Sequence, residues 1–199
     1  MSKFLNNFII NTKTTKAIFF DFDGVIIDSV SVKTEAFAEL FSAFGEKIQS
    51  QVVEHHIRNG GMSRYEKIYH YFKTFIGEEI NEALMMQWAN KFGEIGLAKV
   101  KASAFKEGVL DFMETYQDSC EYHLISATPQ DELEGLVKHF ELQNSFRTLS
   151  GSPTKKAKHF ERLLDECGYK KEEVIYIGDA TNDFSASLEV GIGFVGVTR

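Results

Sequence analysis

The stretch from Lys16 to Val25, Lys-Ala-Ile-Phe-Phe-Asp-Phe-Asp-Gly-Val, constrains this chain more than any other. An apolar run without helical period reads as a strand buried on both faces, as in a parallel sheet. It ends in two carboxylates, Asp21 and Asp23, flanking one aromatic residue, with Gly24 next. Open α/β sheets bind ligands just beyond the carboxyl ends of their strands. A pair of acids at that edge is therefore where such a fold would place chemistry. Neighbouring carboxylates repel unless a cation lies between them or one keeps a proton. A hard divalent ion with oxygen ligands is the simplest way to hold both.

The remaining chain supplies the helices that such a sheet needs. Its 199 residues suit one domain, or one domain with a sizeable insertion. The 43% hydrophobic content, including 18 Phe, is enough for a proper core. A net charge of -7 argues against a nucleic-acid surface and requires any phosphate site to carry its own local cations. Cys120 and Cys167 lack a ligand pattern and read as buried or incidental thiols rather than a disulfide scaffold. In Met1–Lys16, Asn6 and Asn7 interrupt the apolar residues and no small-residue cleavage site follows, which makes a poor signal peptide. No apolar run approaches membrane-spanning length. The expectation is a soluble, cytoplasmic protein that binds neither nucleic acid nor membrane.

From Val30 to Ala104 the pattern is wholly helical. Phe37, Leu40, Phe41 and Phe44 recur at helical spacing, and Gly45 closes that segment. A short helix is expected over Gln51–Ile57. A third starts from Ser63 with Tyr65, Ile68, Tyr69, Phe72 and Ile76 on one face, and a fourth spans Asn81 to Val100. These stripes, and the His55-His56 pair, read as bundle core rather than as a cofactor site. Beyond Gly108, helices alternate with strands: helix Val109–Tyr116, strand Glu121–Ala127, helix Pro129–Phe140 capped by Thr128, and strand Ser145–Leu149. Helix Pro153–Gly168 capped by Ser152, strand Val174–Ile177, helix Ala180–Val190 and strand Ile192–Val197 complete the chain. The alternation predicts a doubly wound parallel sheet with right-handed crossovers. A helical insertion directly after the first strand would lie over the sheet's carboxyl edge as a lid.

Four strand ends then carry polar groups. Asp21 and Asp23 follow the first, and Ser126 ends His123-Leu124-Ile125. Lys155 and Lys156 open a helix after Gly151-Ser152-Pro153, and Asp179 and Asp183 lie in Gly178-Asp179-Ala180-Thr181-Asn182-Asp183. Carboxylates gathered from the first and last ends make an all-oxygen site suited to Mg²⁺. A hydroxyl, a lysine and helix-start N–H groups beside it make a phosphate cradle. The combination suits phosphoryl transfer, in which positioning and charge neutralisation supply most of the catalysis, and a carboxylate can serve as the nucleophile.

In this order, Asp21-Phe22-Asp23-Gly24-Val25, Ser126, the lysine and Gly178–Asp183 resemble the four motifs of the haloacid dehalogenase-like (HAD) superfamily. Asp28-Ser29 and the helical insertion resemble its branch with a helical cap after the first motif, which includes phosphoglycolate phosphatase and β-phosphoglucomutase. The resemblance runs from Lys16 to the end of the chain. It implies a Rossmann-like α/β core, residues 1–29 and 105–199, with an inserted all-helical cap, residues 30–104. By motif, Asp21 would be the nucleophile and Asp23 the general acid and then the base, while Ser126 and the lysine would hold the phosphoryl oxygens. The Gly-Ser-Pro-x-x-Lys pattern points to Lys156, with Lys155 adjacent as the alternative. Mg²⁺ would be bound by Asp21, the Asp23 carbonyl and Asp179, with Asp183 a ligand directly or through water.

The same resemblance puts Gly24 and Ala127 at the substrate, together with Lys33 and Arg64 of the cap. Gly61-Met62-Ser63-Arg64 resembles a cap stretch of β-phosphoglucomutase whose arginine grips a second phosphate. Gly60 stands where that enzyme has a lysine, and Lys33 where it has a histidine. The dehalogenase members lack the second aspartate, so Asp23 implies phosphate chemistry. The implied activity is Mg²⁺-dependent hydrolysis of a small phosphorylated metabolite, a sugar phosphate or phosphoglycolate-like acid, by a monomer or homodimer. The alternatives are a phosphomutase and a catalytically silent metabolite-binding module.

Overall fold

The structure, a computed structural model, describes residues 9–197. Phe4, Leu5 and Phe8 of the N-terminal segment lie outside the described residues. Five strands form one parallel sheet: β1 (Ala17–Phe20), β2 (Glu121–Pro129), β3 (Thr148–Ser152), β4 (Val174–Gly178) and β5 (Gly193–Gly196). The spatial order is β3-β2-β1-β4-β5, so β1 is central. Its registers, Phe20 opposite Leu124 on one side and Ile177 on the other, bring three strand ends together at one edge.

Alternation along β1 explains why it is apolar throughout. Ile18 and Phe20 join one core with Phe112 and Met113 of α5 (Val109–Tyr116) and Leu133, Leu136 and Val137 of α6 (Gln130–His139). Ala17 and Phe19 face the opposite core, with Phe160 and Leu163 of α7 (Lys156–Cys167) and Val190 of α8 (Thr181–Val190). Helices thus cover both faces of a doubly wound sheet. Both cysteines are free, Cys120 buried and Cys167 partly so. Among the described residues no helix is long and apolar enough to cross a membrane.

Residues 30–101 form helices joined by short loops and carry a third core of their own. It is built from α1 (Val30–Leu40), α2 (Glu46–Arg58), α3 (Arg64–His70) and α4 (Glu82–Lys101), with a π-helical turn over Tyr71–Ile76. Phe37, Phe41, Tyr71, Phe72 and Phe92 fill it. Asn81 caps α4 through its side chain, which accepts from Leu84 N–H at 2.8 Å, and Ser63 with Glu66 forms a capping box on α3.

Several boundaries differ from the sequence expectation. α1 ends at Leu40 and a 3₁₀ turn, Ser42–Phe44, carries the chain to Gly45, while α2 starts at Glu46 rather than Gln51. β2 runs through Pro129, so Thr128 lies in the strand and Pro129, not Thr128, occupies the cap position of α6. The Thr128 hydroxyl is engaged with Asp23 instead. β3 falls at Thr148–Ser152 rather than Ser145–Leu149, so Ser152 belongs to a strand. α7 then begins at Lys156, with Lys155 in extended backbone at its cap. On α3 the buried face is displaced by one residue. Arg64, Lys67, Ile68, Tyr71 and Phe72 point inward, whereas Tyr69 is 41% exposed. Aromatic spacing suggested the neighbouring stripe, but the helix buries two cations.

Candidate active site

The loop after β1 is set by backbone bonds before any side chain acts. Asp21 N–H donates to Ile177 O at 2.9 Å, tying the loop to the end of β4. Gly24 adopts φ +77°, which returns the chain so that its N–H reaches Ile27 O at 2.8 Å. A Cβ at Gly24 would stand 2.4 Å from Asp179 Oδ2. The glycine is thus required both by conformation and by the close approach of the loop after β4.

Asp21 is 4% exposed, and its Oδ1 accepts from Phe22 N–H at 2.7 Å. Its other oxygen faces Lys156 Nζ at 2.9 Å, and Lys156 also contacts Asp183 Oδ1 at 2.6 Å. Lys156 is buried, whereas Lys155 is exposed, so Lys156 is the lysine at the site. Burial pushes the Asp21 carboxyl well above its ordinary range; Lys156 opposes that, while Asp183, Asp179 and Asp23 add to it. Burial disfavours the Lys156 ammonium, but Asp183 and Asp21 outweigh it and hold the group protonated.

Asp183 is both anchor and acid. Its Oδ2 accepts from the N–H groups of Asp179 and Ala180 at 3.2 and 3.1 Å, fixing the start of α8. Tyr176 donates its hydroxyl to Asp183 Oδ1 at 3.2 Å and accepts from Lys156 at 2.8 Å. Sequence reading missed Tyr176, which looked like one more apolar strand residue. A phenol two positions before the strand's closing glycine was the available signal.

Asp23 is held differently. Its Oδ1 accepts from Ser29 Oγ at 2.6 Å, and its Oδ2 accepts from Thr128 Oγ1 at 3.0 Å and faces Lys33 Nζ at 2.5 Å. Burial works against the anion, but the Lys33 charge and these three hydrogen-bond donors prevail and lower its pKa. Lys33 also donates to Thr128 Oγ1 at 2.9 Å. Ser126 is buried, and its Oγ accepts from Thr128 N–H at 3.1 Å.

Asp21, Asp23, Ser126, Ala127 and Asp179 line one cavity of about 50 Å³. Lys33 and Arg64 reach it from the helical insertion. Arg64 is nonetheless committed to Glu132 of α6 at 2.7 Å and lies over the Phe92 ring. Gly24 is not part of the lining; it backs Asp179. A Cβ at Gly61 would stand 2.8 Å from Asp183 Oδ1, so the loop before α3 rests directly on the start of α8. This is a closed arrangement, with room on the scale of a few waters.

One carboxylate oxygen each of Asp21, Asp179 and Asp183 lie within 4.8 Å of one another. All-oxygen donors and an excess of buried negative charge fit a hard divalent cation. Asp21 and Asp179 are the direct candidates. Asp183 already spends both oxygens on Lys156, Tyr176 and backbone N–H groups, so a water-mediated role suits it. The Asp23 carboxylate points to Lys33, Ser29 and Thr128 instead.

Residues 18–197 match the family described as haloacid dehalogenase-like hydrolase. Phosphoglycolate phosphatase 1 of Pseudomonas aeruginosa is 24% identical over 200 residues, covering 94% of this chain and 71% of that protein. Among solved structures, β-phosphoglucomutase from Clostridium difficile superposes with a TM-score of 0.77 at 18% identity, over 93% of this chain and 85% of its own. CbbY from Rhodobacter sphaeroides, in complex with phosphate, gives 0.74 at 17% identity, over 93% and 87%. At these identities the two structures establish the shared fold.

Proposed function

The chain belongs to the haloacid dehalogenase-like hydrolases, and from that premise we propose that it is a Mg²⁺-dependent phosphatase acting on a small phosphorylated metabolite through an aspartyl-phosphate. The observation that carries this reading is Asp21, buried at the central strand end, facing a buried lysine and clustered with two further acids beside a closed cavity. Residues 1–29 and 105–199 form the catalytic core in this reading, and residues 30–104 the cap.

Asp21 attacks the phosphorus, its oxygen forms the new P–O bond, and the ester P–O bond breaks. The departing oxygen takes a proton from Asp23. Water then attacks the aspartyl-phosphate and gives a proton back to Asp23, and the bond to Asp21 breaks to release inorganic phosphate. Ser126 and Lys156 hold the phosphoryl oxygens, and Gly24 and Ala127 shape the loops around them. Bound at Asp21 and Asp179, with Asp183 behind, Mg²⁺ would supply charge neutralisation to the phosphoryl group. Lys33 keeps Asp23 ionised in the closed arrangement. An anionic or hydroxylated leaving group that draws Lys33 away lets Asp23 take up the proton that the first step needs.

A mutase must grip a second phosphate. Arg64, the cap group suited to that, is paired with Glu132, which favours hydrolysis. Retention of both Asp21 and Asp23 favours catalysis over a silent binding role. The test is phosphate release from a generic aryl phosphate, with Mg²⁺ and with chelator, in wild type and Asp21→Asn. Metal-dependent release that disappears in the variant supports the proposal, and release that survives in it overturns the nucleophile.

A further inference from the structure

Lys156 has to serve Asp21 and the phosphoryl oxygens in turn, from a four-carbon stem that has no direction of its own. Its direction is imposed from the β4 side. The ammonium donates to the Tyr176 hydroxyl at 2.8 Å and to Asp183 Oδ1 at 2.6 Å, which takes up two of its three donors. The third is left for the side on which Asp21 Oδ2 stands at 2.9 Å. Because Lys156 donates to the phenol oxygen, the phenol proton goes to Asp183 Oδ1 at 3.2 Å. Lys156, Tyr176 and Asp183 thus form a closed triangle of hydrogen bonds with one polarity. Tyr176 is fully buried in β4, paired with Phe19 of β1 and Phe194 of β5. Phe160, one turn along α7 from Lys156, packs on its ring with centroids 4.7 Å apart. The phenol is therefore fixed by the sheet on one side and by the helix that carries the lysine on the other.

We infer that Tyr176 is a positioning residue for phosphoryl transfer, holding Lys156 so that one ammonium donor passes from Asp21 to a phosphoryl oxygen as the bond to phosphorus forms. This deepens, and rests on, the phosphatase reading above. When the Asp21 oxygen bonds to phosphorus and the ester P–O bond breaks, the carboxylate loses its charge. The electron pair leaves with the departing oxygen, which takes the Asp23 proton, and the phosphoryl oxygens keep their charge. The ammonium therefore changes one partner while its bonds to Tyr176 and Asp183 stay. A donor already held on two sides needs no reorganisation at that moment, which is what makes it effective on developing charge. Tyr176 lies outside the cavity lining and acts through Lys156.

The test measures hydrolysis of an aryl phosphate with Mg²⁺ by wild type and Tyr176→Phe. It adds inhibition by inorganic phosphate, which resembles the bound ester, and by tetrafluoroaluminate, which resembles the phosphoryl group in transfer. Tyr176→Phe should lower kcat and weaken tetrafluoroaluminate by the same factor, about tenfold or more, while KM and phosphate inhibition stay within about twofold. A merely structural role lowers kcat through loss of folded enzyme and leaves the tetrafluoroaluminate constant where it was, so a fall in kcat alone overturns the proposal. An unchanged kcat, or equal weakening of both inhibitors, also overturns it and leaves the phosphatase reading intact. No hydrolysis by wild type overturns that reading and this one together. Should Tyr176→Phe fail to fold, replacing Tyr176 by difluorotyrosine, which keeps ring and hydroxyl but accepts more weakly from Lys156, decides by the same comparison of the two inhibitors.

Discussion

Lys156 stands 2.9 Å from one buried carboxylate and 2.6 Å from another, so its removal leaves buried acids uncompensated. Lys156→Met should lower the unfolding free energy of the chelated protein by about 3 kcal/mol, read from urea titrations with an unchanged slope. Asp21 behaves in the opposite sense. Its folded pKa lies above the unfolded value, so its contribution to stability is present at low pH and lost as pH rises. At neutral pH in chelator, Asp21→Asn should therefore melt higher than wild type, whereas Mg²⁺ should stabilise wild type more than the variant. A lower melting temperature for the variant in chelator would contradict this. At this scale the acids were legible in the sequence because their spacing after apolar runs is unmistakable. Thr128 and Tyr176 were not, since their hydroxyls acquire meaning only when β1, β2 and β4 bring Asp23 and Asp183 beside them.

At the scale of elements, the loop after β1 and the loop before α3 each depend on a close approach. Gly24→Ala would place a methyl group 2.4 Å from Asp179 Oδ2 at a φ of +77°. It should abolish Mg²⁺-induced thermal stabilisation while the protein remains folded by circular dichroism. The Arg64–Glu132 pair joins α3 to α6, with side chains 6% and 15% exposed. Glu132→Gln should speed hydrogen exchange across 64–72 without altering β1, the cost being about 1–3 kcal/mol at that contact. Exchange unchanged at α3 would show that the pair does not hold α3 against α6. The alternation of strands and helices, and the insertion after β1, were readable from periodicity alone. The inward face of α3 was not. Its Tyr65 and Tyr69 compete with Arg64 and Lys67 for the interior, and the cavity, which no helical period encodes, decides for the cations.

For the whole molecule, the two flanking cores and the separate core of the insertion tie stability to groups far from the cavity. His123, near the start of β2, bonds Thr148 Oγ1 and Tyr169 through its two ring nitrogens. Burial, helped by Arg147 and Arg162 and opposed by Glu121, lowers its pKa from 6.5 to about 4. The unfolded chain takes up this proton below pH 6.5 and the folded chain resists it, so stability should fall between pH 6.5 and 4. His123→Gln should flatten that part of the melting-temperature profile, and an unchanged slope would assign it to other groups. The central claim, that Asp21 takes the phosphoryl group, is tested most directly by acid-quenching the enzyme during turnover of a phosphate ester with Mg²⁺ and mapping the covalent adduct by mass spectrometry. We expect one hydroxylamine-labile phosphoryl group on the peptide that contains Asp21, absent from Asp21→Asn. An adduct on any other residue, or phosphate release continuing in the variant, would contradict the account.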